Sequence, residues 1–125
     1  MSKKIIIIGA LGYLGTELCK LYSGESWFNK VVAIDSRFAP DRVSQLKDWN
    51  INFHQGHILD QEFLKKYLYD ADLVYHLAGV TDVAYVKKEA TQDHDERIRK
   101  IAIEGTNNIL SSISKISFLG LPLCI

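Results

Sequence analysis

The sequence predicts an α/β domain built as a doubly wound parallel sheet, about five strands in the order 3-2-1-4-5 with helices on both faces. Three observations carry that expectation. Short apolar runs alternate with stretches of helical periodicity along most of the chain. The runs Ile5-Ile-Ile-Ile8 and Val31-Val-Ala-Ile34 are continuous rather than alternating, which suits strands buried on both faces. The segments between runs are short, as right-handed crossovers between parallel strands allow. At 125 residues the chain has the length of one domain, 1–125, and no room for a second full one.

Ile5–Ile8 is the first strand. Glycines follow, then a helix whose apolar face reads as Leu14, Leu18, Leu21 and Tyr22, at i, i+4, i+7 and i+8. Ser23-Gly24 ends it. Val31–Ile34 is the second strand, closed by Asp35. Ala39-Pro40-Asp41 opens a helix with Val43 and Leu46 inward. Ile51–Phe53 is a short third strand. Asp60 is placed to cap the next helix, whose face is Phe63, Leu64, Tyr67 and Leu68. Asp72–Leu77 is the fourth strand, followed by a long polar loop. A helix over Asp93–Ser112 carries Ile98, Ile101, Gly105 and Ile109 on one side, and Ile116–Leu119 is the expected fifth strand. Trp27 and Trp49 stand near turns, where packing at the edge of the core is expected.

Composition narrows the function classes. Apolar residues make up 47% and charged residues 24%, which argues for a globular chain against disorder. Fifteen Lys+Arg balance 15 Asp+Glu, so no excess charge points to nucleic acid or an acidic membrane surface. Cys19 and Cys124 are too few and too far apart for a disulfide framework or a zinc knuckle. No apolar run approaches the roughly 18 residues of a membrane span. The expectation is a cytoplasmic protein. His54, His57, His76 and His94 do not show the spacing of a metal site, and none is expected.

Gly9-Ala-Leu-Gly12-Tyr-Leu-Gly15 lies between the first strand and the first helix. Gly9 lets the chain turn off the strand, Gly12 clears a path to the backbone, and Gly15 lets helix and strand approach. The helix N-terminus then offers free N–H groups and the positive end of its dipole to a pyrophosphate. A glycine triplet alone also fits a tight turn. Asp35, 20 residues beyond Gly15, adds a carboxylate where an adenosine ribose would sit. Together they point to a Rossmann-like dinucleotide site. The carboxylate would repel a 2′-phosphate, favouring NAD over NADP. Arg37 softens that preference, because a guanidinium can neutralise a phosphate.

Gly9-x-x-Gly12-x-x-Gly15, Asp35, Gly56-His-Ile-Leu-Asp60, His76-Leu-Ala-Gly79 and Gly105-Thr-Asn-Asn-Ile-Leu110 follow one another as in a known family. The sequence resembles the extended short-chain dehydrogenase/reductases, in their NAD-dependent epimerase/dehydratase branch, from Lys3 to about Leu119. The resemblance implies an oxidoreductase of nucleotide sugars that uses NAD. It implies that backbone N–H groups of Tyr13 and Leu14 meet the pyrophosphate, and that Asp35 and Ser36 hold the adenosine ribose. Leu77, Ala78 and Gly79 would lie under the nicotinamide-side ribose. Gly105-Thr106 would pack the last helix against the sheet. It also implies a homodimer formed through two helices, the second of which lies beyond Ile125.

The sequence departs from the family in three places. The family has an Asp that accepts from the adenine amino group where this chain has His57; a neutral imidazole could accept the same bond in one tautomer. Ile58 still suits the adenine face. An Asn that touches the cofactor is Ala102 here. Finally, the family carries a catalytic Ser or Thr and a Tyr-x-x-x-Lys pair, and no tyrosine among these 125 residues has a lysine four places on. The chain therefore reads as the N-terminal portion of such an enzyme: a dinucleotide-binding piece with no catalytic residues and no turnover of its own. A nucleotide sugar would be a substrate of a full-length relative. A non-catalytic NAD(P)-binding sensor or regulatory module is the alternative. The apolar ending beside a sheet edge is an expected association site.

Overall fold

The structure is a computed structural model, and it describes residues 2–25, 28–79, 92–114 and 123–124. The elements run β1 (Lys4–Ile8), α1 (Tyr13–Tyr22), β2 (Lys30–Asp35), α2 (Pro40–Asp48), β3 (Asn52–Gln55), α3 (Gln61–Leu68), β4 (Leu73–His76), α4 (Gln92–Ser112) and β5 (Leu123–Cys124). They form one sheet in the order β3-β2-β1-β4-β5, with all neighbours parallel. This is the doubly wound order that the sequence predicts.

The isoleucine run explains how the two faces fill. Successive strand side chains point to opposite faces. Ile6 and Ile8 join Val32, Ile34 and Val74 against Leu64 and Leu68 of α3 and Ile109 of α4. Ile5 and Ile7 join Val31 and Ala33 against Cys19 of α1 and Leu46 of α2. All four isoleucines are essentially without solvent contact. Burying one such side chain contributes about 1.5–3 kcal/mol. The same burial pushes the Cys19 thiol up to about 12.

Several expectations hold locally. Asp60 caps α3, its carboxylate accepting the Phe63 N–H at 3.1 Å. Pro40 sits in the first turn of α2, where its missing N–H costs nothing. Trp49 packs at the margin of the α1–α2 side of the core.

The inward face of α1 differs from the sequence reading. Leu14 and Leu21 are 60% and 76% exposed, while Gly15 and Cys19 are buried. The cause is the contact at Gly15. A Cβ there would stand 2.1 Å from the Gly9 carbonyl oxygen, so helix and turn touch along this line. That contact rotates Cys19, Leu18 and Tyr22 inward and leaves Leu14 on the flank.

The third strand also shifts, to Asn52–Gln55, because pairing with β2 continues until Gln55 lies opposite Asp35. Ile51 is buried just before it. The fifth strand position is taken by Leu123–Cys124, beside Val74 and Tyr75. The expected strand at Ile116–Leu119, the polar loop after β4 and Trp27 lie outside the described residues.

Candidate functional site

The carboxyl ends of β1, β2 and β4 open into a cleft of about 780 Å³. The residues expected from the sequence as cofactor contacts line it: Gly9, Gly12, Tyr13, Leu14, Gly15, Asp35, Ser36, Arg37, His57, Ile58, Leu77, Ala78 and Gly79. Ile8, Gly56 and Ile101 complete the lining. Sequence reading places Ile101 only as a core residue of α4. Its neighbour Ala102, matched there to a cofactor-touching Asn, is not in the lining.

The glycine turn is built by close contact. Gly9 has φ +86°, and a Cβ on it would lie 2.7 Å from the Leu77 carbonyl carbon. Its N–H bonds the Ile34 carbonyl at 2.8 Å, which seats the turn on β2. Gly12 differs: a Cβ there would find only the Gly9 oxygen at 3.4 Å and Arg37 Nη2 at 3.6 Å. The space before Gly12 is therefore open toward the cleft. Gly12 is also the N-cap of α1, no side chain among the described residues caps this end, and the first turn holds no acidic residue. Its backbone N–H groups and dipole are available to an anion. Tyr13, in the first turn of α1, is 84% exposed.

Asp35 lies across the cleft and is 5% exposed. Its Oδ2 accepts the Leu11 N–H at 2.9 Å and Arg37 Nη2 at 3.3 Å. Its Oδ1 accepts the Arg37 backbone N–H at 2.9 Å and Nε at 3.2 Å. Arg42 of α2 completes the clamp on the turn, donating to the Leu11 carbonyl and, at 3.1 Å, to Thr16 Oγ1. Sequence reading missed Arg42, and a lone arginine on a polar helix gives no signal.

His57 is engaged by its own turn. Its Nδ1 accepts the Leu59 N–H at 3.1 Å. In the neutral ring the hydrogen is then on Nε2, so the free nitrogen donates and does not accept. The cause is local: residues 57–60 form a turn, in which the Asp60 N–H also bonds the His57 carbonyl at 3.0 Å.

Gly105 packs on a loop, not directly on the sheet. A Cβ there would meet Ile58 Cδ1 at 2.2 Å. Asn108 holds the same loop by donating to the Ile58 carbonyl at 3.0 Å. Thr106 reaches the sheet, its Oγ1 lying 3.1 Å from His76 Nε2. His76 is 3% exposed and its Nδ1 is buried with no partner among the described residues, and burial lowers its pKa. Among the described residues no three metal-ligating side chains converge, and no helix is long and apolar enough to cross a membrane.

Crossing order and the glycine turn beneath α1 put this chain in the Rossmann-like class of doubly wound folds. Within that class it belongs to the 3-beta hydroxysteroid dehydrogenase/isomerase family, whose model matches residues 6–120. Relatives carry the resemblance to the epimerase/dehydratase branch. A dTDP-D-glucose 4,6-dehydratase of Dictyostelium discoideum is 30% identical over 65% of this chain and 20% of its own length. Uncharacterized protein 052L of Frog virus 3 is 28% identical over 86% of this chain and 28% of its own. Among solved structures, a UDP-glucose-4-epimerase of Stenotrophomonas maltophila with bound NAD superposes with a TM-score of 0.70. It shares 20% identity over 88% of this chain and 33% of its own. A dTDP-glucose 4,6-dehydratase of Bacillus anthracis in complex with NAD gives 0.69 at 17% identity, covering 98% and 36%. The chain thus spans about a third or less of the length of the proteins it resembles.

Proposed function

We propose that this chain binds NAD in the cleft, as the cofactor-binding portion of a nucleotide-sugar epimerase/dehydratase-type oxidoreductase. The observation that carries the reading is the N-terminus of α1, left uncapped and open at Gly12 by the described residues and facing a buried carboxylate at Asp35. The residues fit the group. Backbone N–H groups of Tyr13 and Leu14 would take the pyrophosphate, and Asp35 and Ser36 the adenosine ribose. Ile58 would lie on the adenine, and Leu77, Ala78 and Gly79 under the nicotinamide-side ribose. NAD, when bound, supplies hydride acceptance and return.

These residues bind and orient. No tyrosine in the chain has a lysine four places on, so we assign it no acid–base step and no turnover alone. The sugar nucleotide is a substrate of a full-length relative, and the dehydratase and epimerase relatives named above favour that class. Dimerisation would use α4, whose Ile103 and Leu110 stand seven residues apart and are 57% and 54% exposed. A cytoplasmic setting goes with this reading, and a free, buried Cys19 suits a reducing compartment.

A thermal melt of the chain with and without NAD tests it. Ligand at about 100 times the dissociation constant stabilises by roughly 2.7 kcal/mol, a shift of several degrees for a domain this size. A cooperative melt that NAD does not move overturns the reading. Sugar-dependent NADH formation by the pure chain overturns the absence of turnover.

A further inference from the structure

The carboxylate of Asp35 has about four lone-pair positions, two on each oxygen. All are taken within the chain. Leu11 N–H and Arg37 Nη2 fill Oδ2, and Arg37 N–H and Nε fill Oδ1. Two of the four donors are backbone and belong to the fold. The other two come from one side chain, and they place one N–H on each carboxylate oxygen, as the two hydroxyls of a ribose diol would. The Arg37 side chain is 65% exposed while that of Asp35 is 5% exposed. Arg37 Nη2 also comes within 3.6 Å of where a Gly12 Cβ would stand, so the guanidinium reaches over the cleft toward the glycine turn.

We propose that Arg37 is a built-in competitor for the ribose site: its guanidinium stands in the place of the ribose diol, and a dinucleotide must displace it. The inference rests on the cofactor-binding reading above and adds a consequence for cofactor choice. With the guanidinium seated, the cleft shows a cation where a bare carboxylate would otherwise repel a 2′-phosphate. A diol has to break two charge-assisted N–H bonds to reach Asp35. A 2′-phosphate instead meets a guanidinium, whose planar fork suits phosphate oxygens. Arg37 therefore weakens NAD binding and supports NADP binding, and the chain accepts both.

Titration calorimetry with NAD and NADP tests this on the full chain, its Arg37→Ala variant and its Arg37→Lys variant. The wild type is expected to bind the two cofactors within about tenfold of each other, the equivalent of about 1.4 kcal/mol. Its NADP affinity should fall more steeply with added salt than its NAD affinity. Arg37→Ala should tighten NAD several-fold and weaken NADP by about tenfold or more. Arg37→Lys keeps the charge without the fork, so it should tighten NAD while retaining NADP. Arg37→Ala removes two donors from a buried carboxylate and is expected to melt lower than the wild type, so the folding control is a cooperative transition in each variant rather than an unchanged midpoint. Wild-type and variant affinities that keep one NAD-to-NADP ratio overturn the competitor and leave the cofactor reading standing. A folded wild type that binds neither cofactor overturns both.

Discussion

The Leu11 N–H donates to Asp35 Oδ2 at 2.9 Å, across 24 residues of sequence. This bond ties the end of β2 to the glycine turn, and the turn is thereby held before any ligand arrives. Asp35 is a structural residue as well as a candidate ribose contact. Hydrogen bonds to a charged group contribute about 1.5–3 kcal/mol each. Asp35→Ala removes all four bonds to this carboxylate and should lower unfolding stability by at least about 1.5–3 kcal/mol. Urea denaturation reads the change. An unaltered midpoint would mean that the bonds from Leu11 and Arg37 to this carboxylate contribute nothing net.

Gly12 and Gly15 should separate binding from folding. A methyl at Gly15 runs into the Gly9 carbonyl at 2.1 Å, and neither backbone can yield cheaply. Gly15→Ala is expected to cost about 3 kcal/mol or more, or to prevent folding. Gly12→Ala finds 3.4 Å of room and should fold with little loss, while its methyl projects into the space an anion would approach. Paired melts with and without NAD would show it: a stable Gly12→Ala protein with an undiminished NAD shift contradicts the assignment.

Burial lowers the pKa of His76 from its ordinary 6.5. His54 is lowered too, first by desolvation and then by Lys66, Lys30 and Lys4. The unfolded chain thus takes up protons before the native one does as pH falls. Stability from these two residues is full above about 6.5 and declines below it, as linkage requires. Denaturation midpoints taken at steps between about pH 7.5 and 5.5 should fall toward the acid side. His76→Gln should flatten that slope and leave only the part due to His54. An unchanged slope in the variant would remove His76 from the account.

With Nδ1 held by the Leu59 N–H, the neutral His57 ring has a donor at Nε2. A donor facing the base suits a carbonyl oxygen better than an amino group. Nicotinamide hypoxanthine dinucleotide should then bind at least as tightly as NAD. His57→Asp should restore a preference for adenine of several-fold, within the roughly 0.5–1.5 kcal/mol of one hydrogen bond. Competition between the two dinucleotides in one titration compares them. A wild-type preference for adenine above tenfold would show that His57 does not read the base.

The sequence by itself determined the sheet and the place of the cleft. A continuous isoleucine run has one economical use, a strand covered on both sides, and glycines at Gly9, Gly12 and Gly15 leave only one way to pass from it into a helix. Asp35 follows at the end of the next strand, so the glycine turn and the carboxylate were legible from local signals, while Ser36, His57, Ile58 and Leu77 to Gly79 were expected only from the family resemblance. Three things were not legible. The inward face of α1 depends on the contact of Gly15 with the Gly9 carbonyl, which a periodicity count cannot see, so Leu14 and Leu21 read as core and are exposed. The role of His57 depends on which nitrogen its own turn engages. The state of Asp35 depends on Leu11, Arg37 and, through the turn it clamps, Arg42, whose convergence arises only when β2, α2 and the glycine turn are packed together. Periodicity records burial, one residue at a time. Hydrogen-bond partners are set by distance in space, and only the tertiary structure decides them.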